Sequence, residues 1–278
     1  MVIPVKRLPE AKSRLAPLSG ELRAALALAF ASDTVAAATA SPLVAAVFAV
    51  TGDDAVSQRL SALGARILPD DARGGLNGAI ESGRRRALAD DPRRRVAALT
   101  SDLPGLHTAD LTAALAAATD GRAFVPDAPG SGTTLLLSDT HGTLAPRFGP
   151  NSRYAHEAAG ATLLTGAGRS LRRDVDTVED LEDAIRLGVG AHTAAALARL
   201  HWRPAHYADP MQATVRIFDP ATRGGSVLLD DGTEMAYDAD AFNAGGLRFA
   251  RPGQRVVLRV DDRGRITALT LATLPLPN

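Results

Sequence analysis

Four cations stand in nine consecutive positions near the start of the chain: Lys6, Arg7, Lys12 and Arg14. Such a density suits a polyphosphate, because these groups neutralise both the bound anion and a departing pyrophosphate. Lys6 and Lys12 are the only lysines among 31 basic residues, and a compact ammonium is a different phosphate partner from a planar guanidinium. Asp102, in Thr100-Ser101-Asp102-Leu103-Pro104, is suited to Mg2+, which takes one or two carboxylates together with substrate phosphates; a plain strand-ending turn is the competing role. Asp174 and Asp176 alternate in Asp174-Val175-Asp176-Thr177, so in extended backbone both carboxylates share a face. Asp176 or Thr177 also suits the N-cap of a following helix, which leaves Asp174 without a structural duty. Gly130-Ser131-Gly132-Thr133 and Arg147-Phe148-Gly149-Pro150-Asn151-Ser152 combine glycines with hydroxyls, and their backbone N–H groups suit either an anion or an ordinary turn and cap.

These loops need a frame, and the hydrophobic pattern supplies one. Short apolar runs at 2–5, 44–50, 65–68, 96–100, 123–126, 134–137 and 171–175 read as strands. Between and after them, helical patterns cover 21–38, 54–63, 77–88, 108–118, 152–160 and 177–187. Alternating βα units with short buried strands predict a mostly parallel sheet covered on both faces. Ligands of such sheets lie outside the carboxyl ends of the strands, where most of these loops fall. Residues 1–199 form this first domain, and the proline-containing stretch 200–210 reads as a linker. In 211–278, five short segments (214–218, 226–229, 234–237, 255–260 and 266–271) alternate with turns such as Asp231-Gly232, predicting a small antiparallel barrel.

Composition removes whole classes of chemistry. Cysteine is absent, which excludes disulfide scaffolds, thiolate zinc sites, iron–sulfur clusters and cysteine nucleophiles. Thirty-one basic residues balance 31 acidic ones, arguing against bulk-charge binding to nucleic acid or an anionic membrane. The chain opens directly on a strand, without a signal-peptide pattern, and its apolar runs are interrupted short of a membrane span, so a soluble cytoplasmic protein is expected. Among the histidines no pair has metal-ligand spacing, and His107, His141, His156 and His192 read as surface or packing residues. A Gly-x-Gly-x-x-Gly fingerprint is missing after the first strand, which counts against NAD or FAD.

Taken in order, Val5-Lys6-Arg7, Ala11-Lys12-Ser13-Arg14-Leu15, Leu76-Asn77, Asp102-Leu103-Pro104, Gly132-Thr133, Arg147-Phe148-Gly149-Pro150 and Asp174-Val175-Asp176-Thr177 resemble the 2-phospholactate/phosphoenolpyruvate guanylyltransferases of coenzyme F420 biosynthesis. The likeness spans about residues 2–197. It implies an α/β, Rossmann-like nucleotidyltransferase sheet. It also implies GTP and a phosphorylated three-carbon acid, phosphoenolpyruvate or 2-phospho-L-lactate, as substrates and pyrophosphate as a product. By the same resemblance Asp102, Asp174 and Asp176 would hold Mg2+, and Thr133, Gly149 and Ser152 would hold the acid. Lys6, Lys12 and Arg14 would then stabilise the departing pyrophosphate, and Leu76 and Asn77 would contact the base. Asn151 is a departure, since the pattern has Asp between Pro150 and Ser152.

The C-terminal segment resembles a cold-shock-type OB barrel, carried by Ala213-Thr214-Val215-Arg216-Ile217-Phe218, Asp230-Asp231-Gly232 and Pro252-Gly253-Gln254-Arg255-Val256. Its aromatic stacking platform is nearly gone, which disfavours nucleic-acid binding. The competing function is a nucleic-acid-binding OB module on a catalytically silent domain. Molybdenum-cofactor or sugar-phosphate nucleotidyl transfer is disfavoured by a first loop lacking the Gly-rich signature. Of the acids, phosphoenolpyruvate is expected first, because the resemblance is to the bacterial branch of the guanylyltransferase family.

Overall fold

Strand β1 (Val2–Pro4) lies in the interior of a seven-stranded sheet and is buried on both faces. The computed structural model describes residues 1–8, 12, 15, 19–70, 74–200, 211–261 and 264–271. The chain divides into two units, Met1–Leu200 and His201–Asn278. Residues 201–210 of the expected linker lie outside the described residues.

In the first unit, β2 (Phe48–Thr51), β3 (Arg66–Pro69), β4 (Ala97–Leu99), β5 (Ala123–Pro126), β6 (Thr133–Leu137) and β7 (Thr162–Leu163) join β1 in the order β3-β2-β1-β4-β6-β5-β7. β1 pairs in parallel with β2, Val2 opposite Phe48, and with β4. β6 runs antiparallel to both β4 and β5. The sheet is mostly parallel, as expected, and β6 is the antiparallel strand among those described, because the turn at 127–132 folds it straight back on β5.

Alternation along the strands divides the core in two. Ile3, Ala49, Leu99, Val125 and Leu135 face α1 (Gly20–Thr39), α2 (Asp54–Ser61) and α4 (Thr108–Ala116), meeting Val35, Val56, Leu60 and Leu111. Val2, Val50, Ala98, Phe124 and Leu136 face the other way, toward α3 (Gly75–Asp90), meeting Ala79 and Ile80. Each fully buried Leu, Ile or Phe contributes roughly 1.5–3 kcal/mol against the entropy of ordering the chain. Gly83 lets α3 approach, since a Cβ there would lie 2.4 Å from a Val2 methyl. Helix α1 is long and apolar enough to span a membrane by composition, but it carries buried Asp33. That carboxylate accepts the N–H groups of His192 and Thr193, capping α8 (Ala191–Arg199), a helix the sequence pattern does not announce.

Where a strand is expected at 171–175, the chain forms one helical turn, α6 (Arg169–Arg172), after α5 (Ser152–Ala158), and then extends into α7 (Val178–Leu187). Gly168 starts that turn in extended backbone and Leu171 is buried against the sheet, so the apolar signal marks packing, not a ladder.

The second unit is a curled antiparallel sheet of β8 (Met211–Phe218), β9 (Gly225–Leu229), β10 (Glu234–Tyr237), β11 (Arg255–Val260) and β12 (Ile266–Leu271), ordered β10-β9-β8-β11-β12. Helix α9 (Ala239–Ala244) joins β10 to β11, the connection an OB topology makes there. Among the described residues no ladder joins β10 to β12, so the curl is a half-barrel. Gly245 permits α9 to sit on β12, because a Cβ would meet the Leu269 carbonyl at 1.5 Å. Phe242 stacks on Phe218 at 4.8 Å, and the Tyr237 hydroxyl donates to the Ile217 carbonyl. Phe218 and Tyr237 thus serve the core of this unit.

Candidate active site

The rim at the carboxyl ends of β1, β4 and β5 gathers the acidic residues. Asp102 follows β4, and Asp127 leaves β5. β6 runs the opposite way, so its first residue, Thr133, reaches the same rim. The segment after α6 is tied alongside by one backbone hydrogen bond, Val175 N–H to the Asp102 carbonyl at 3.0 Å. Asp174 and Asp176 flank that anchor.

Capping of α7 falls to Thr177. Its hydroxyl accepts the Asp180 N–H, and the Asp180 carboxylate accepts the N–H groups of Asp176 and Thr177. The Asp176 carboxylate is thereby left for other work, and it accepts from the Lys12 ammonium at 3.2 Å. Lys12 also donates to Asp102 at 2.5 Å, with its side chain only 10% exposed. Burial works against the charge on Lys12, but Asp102 and Asp176 outweigh it and hold the ammonium above its ordinary pKa. Asp174 shows the opposite imbalance. Burial, then the charges of Asp102, Asp176 and Asp127, push its carboxyl up to about 8, with Lys12 opposing. Lys12 thus faces three of these carboxyls, those of Asp102, Asp176 and Asp174.

Among the described residues no three histidine or carboxylate groups form a ready-made metal cage. The donor set nevertheless fits a hard divalent cation: the carboxylates are in surplus, and the buried Oδ1 of Asp102 has no hydrogen-bond partner. Asp127, which the sequence reading passed over, follows a buried strand just as Asp102 does, and that rule would have found it.

The glycine loop differs from its expected use. The Asp127 carboxylate accepts the N–H groups of Gly130, Ser131 and Gly132 at 2.7, 2.9 and 2.8 Å. These amides hold an anion, as expected of such a loop, but the anion is the protein's own side chain. Gly132 is required, since a Cβ would lie 2.3 Å from the carboxylate. Thr133 is buried at the start of β6, its hydroxyl paired with His156 Nδ1 at 3.0 Å.

The second glycine loop packs beside Thr133 through α5. Arg153 of α5 donates through its side chain to the Gly130 carbonyl and through its backbone N–H to the Ser131 carbonyl. Gly149 adopts φ 142°, and a Cβ there would meet open space, so this backbone faces room for a ligand. Ser152 is buried at the start of α5. Asn151 sits at φ 58°, a left-handed conformation that Asn and Asp both tolerate. The Asn77 amide faces this loop, accepting the Phe148 N–H at 2.8 Å and donating to the Phe148 carbonyl at 3.0 Å. Leu76 packs against the cluster containing Phe148 and Ile80. Contact with a base by these two residues would rely on backbone groups and on the amide's remaining hydrogen and lone pair. Lys6 is exposed at the rim, and Arg14 lies outside the described residues.

Residues 1–209 match the family described as guanylyl transferase, CofC-like. The chain belongs to that family. Family membership agrees with the gathered acidic rim and disfavours a catalytically silent first unit. A relative named phosphoenolpyruvate guanylyltransferase from Streptomyces coelicolor is 52% identical over 203 residues, covering 72% of this chain and 96% of its own. One of the same name from Nocardia farcinica is 42% identical over 227 residues, covering 80% and 96%. The fold is shared with a crystal structure from Desulfovibrio desulfuricans G20 assigned to the nucleotide-diphospho-sugar transferases. Its TM-score is 0.53 at 19% identity, covering 72% of this chain and 94% of that one. Residues 211–278 lie beyond the guanylyl transferase match.

Proposed function

We propose that this chain transfers GMP from GTP to the phosphate of phosphoenolpyruvate, with 2-phospho-L-lactate as the alternative acceptor, in the cytoplasmic synthesis of coenzyme F420. The observation carrying this reading is the meeting of Asp102, Asp174 and Asp176 in a member of the guanylyl transferase family. Phosphoenolpyruvate is placed first because relatives at about half identity carry it in their names.

An oxygen of the acceptor phosphate bonds to the α-phosphorus of GTP. The bond from that phosphorus to its β-bridging oxygen breaks, and the electron pair leaves with pyrophosphate. No side-chain nucleophile is needed, since the acceptor is already ionised. Asp102, Asp174 and Asp176 would hold Mg2+, which when bound supplies charge neutralisation between two anionic reactants. Thr133, Gly149 and Ser152 orient the acid. Lys6, Lys12 and Arg14 serve the leaving pyrophosphate, with Lys12 also balancing the carboxylates it touches.

The test is a competition with GTP, Mg2+ and equal amounts of phosphoenolpyruvate, 2-phospho-L-lactate and 3-phosphoglycerate, resolved by mass spectrometry. A guanylylated phosphoenolpyruvate formed with stoichiometric pyrophosphate is expected. Pyrophosphate release that ignores all three acids would overturn the proposal.

A further inference from the structure

His156 is 1% exposed and belongs to neither the acidic cluster nor the cationic loop. Its ring lies between Phe124 and Phe148, at 6.0 and 5.2 Å between centroids. Both of its nitrogens are engaged. Nε2 accepts the backbone N–H of Arg147 at 2.9 Å, and Nδ1 pairs with the Thr133 hydroxyl at 3.0 Å. A backbone amide can only donate, so Nε2 carries no hydrogen; a neutral imidazole then carries it on Nδ1. Nδ1–H donates to Thr133 Oγ1, and the hydroxyl's own hydrogen is left for another acceptor.

We propose that His156 is a positioning residue that commits the Thr133 hydroxyl to donate toward an anionic oxygen of the acceptor acid and fixes the Arg147–Phe148 backbone beside it. This rests on the reading of Thr133 as an acceptor contact. One imidazole thereby joins the two loops assigned to the acid, with Asn77 bracing the second from the far side through Phe148. A hydroxyl free to rotate could present either its hydrogen or a lone pair; one already accepting from Nδ1–H presents its hydrogen. Burial, then Arg122 and Arg147, hold the imidazole down to about 4, keeping it neutral and the arrangement intact at neutral pH.

The experiment compares steady-state constants of the full-length chain for GTP and phosphoenolpyruvate in four variants. Thr133→Val should raise the acceptor KM about tenfold or more, the size expected for a hydrogen bond to a charged group, and leave the GTP KM within about twofold. His156→Gln places an amide near Nε2 but loses the donor to Thr133, and should raise the acceptor KM similarly. His156→Asn retains a donor near Nδ1 and should stay closer to the parent value. Combining Thr133→Val with His156→Gln should be no worse than Thr133→Val alone. An unchanged acceptor KM in Thr133→Val defeats the reading of Thr133. A clear effect there, with His156→Gln and His156→Asn alike, defeats the role of His156. Nitrogen-15 NMR of the unsubstituted chain at neutral pH gives an answer independent of variant folding. Protonated Nδ1 with bare Nε2 is expected, and the opposite tautomer would overturn the proposal.

Discussion

The Asp102 carbonyl accepts the N–H of Val175 at 3.0 Å, joining two segments far apart in the sequence through a single backbone contact. Because Asp174 and Asp176 flank Val175, this contact brings three carboxyls to one rim. The charge that accumulates there is visible in Asp174, pushed up to about 8 by burial and its acidic neighbours.

Asp174→Asn should reduce turnover to background while the chain folds normally. Without divalent cation the variant should melt no lower than the parent, since it removes a buried group beside like charges. Mg2+ should raise the parent's melting temperature more than the variant's. A variant with full activity would refute the assignment of Asp174.

Lys12→Met leaves Asp102 and Asp176 without their shared ammonium. Breaking a buried pair typically costs about 3–5 kcal/mol, and the half-exposed Asp176 should bring this toward roughly 2–3 kcal/mol. Urea denaturation in a chelator measures the loss. Mg2+ should recover more stability in this variant than in the parent, because the ion then meets no competing ammonium.

Gly132→Ala should weaken the acceptor loop. The added methyl would displace the Asp127 carboxylate from three N–H groups, costing about 1–3 kcal/mol of stability. An increased acceptor KM should accompany a lowered melting temperature.

Protonation of His156 sets an acid limit. Its folded pKa is about 4, below the ordinary 6.5, so the stability it contributes is complete above pH 6.5 and lost as pH falls toward 4. The loss amounts to roughly 3 kcal/mol between those limits. Denaturation of the parent and His156→Gln across this range should show a steeper decline for the parent.

Phe218 and Tyr237 pack against Phe242 in the second unit. Fluorescence anisotropy of the full-length chain with labelled single-stranded oligonucleotides should therefore show no tight, salt-sensitive binding. Such binding would revive the nucleic-acid-binding module.

Local chemistry was legible where it has a local cause. The apolar run of Ala123–Pro126, and the turns bounding Glu234–Tyr237, Arg255–Val260 and Ile266–Leu271, mark those strands without reference to the rest of the chain. Asp102 and Asp174 stood out by residue type and position, and the order of motifs already resembled the guanylyl transferases. Other features had no local signature. Leu171 is apolar whether it lies in a strand or anchors a helical turn, and only its burial against the sheet chose between them. The Gly130–Gly132 amides suit any anion, and it was the fold that delivered Asp127 to them. His156 carries no motif at all; its partners come from two loops that meet only once β6 runs back beside β5. The sequence by itself thus determined most of the strands, the chemical groups and their family likeness, because periodicity and residue type are properties of neighbours along the chain. Which donor meets which acceptor was decided by tertiary structure alone, because a hydrogen bond or ion pair depends on separations of a few ångströms between residues that only folding brings together.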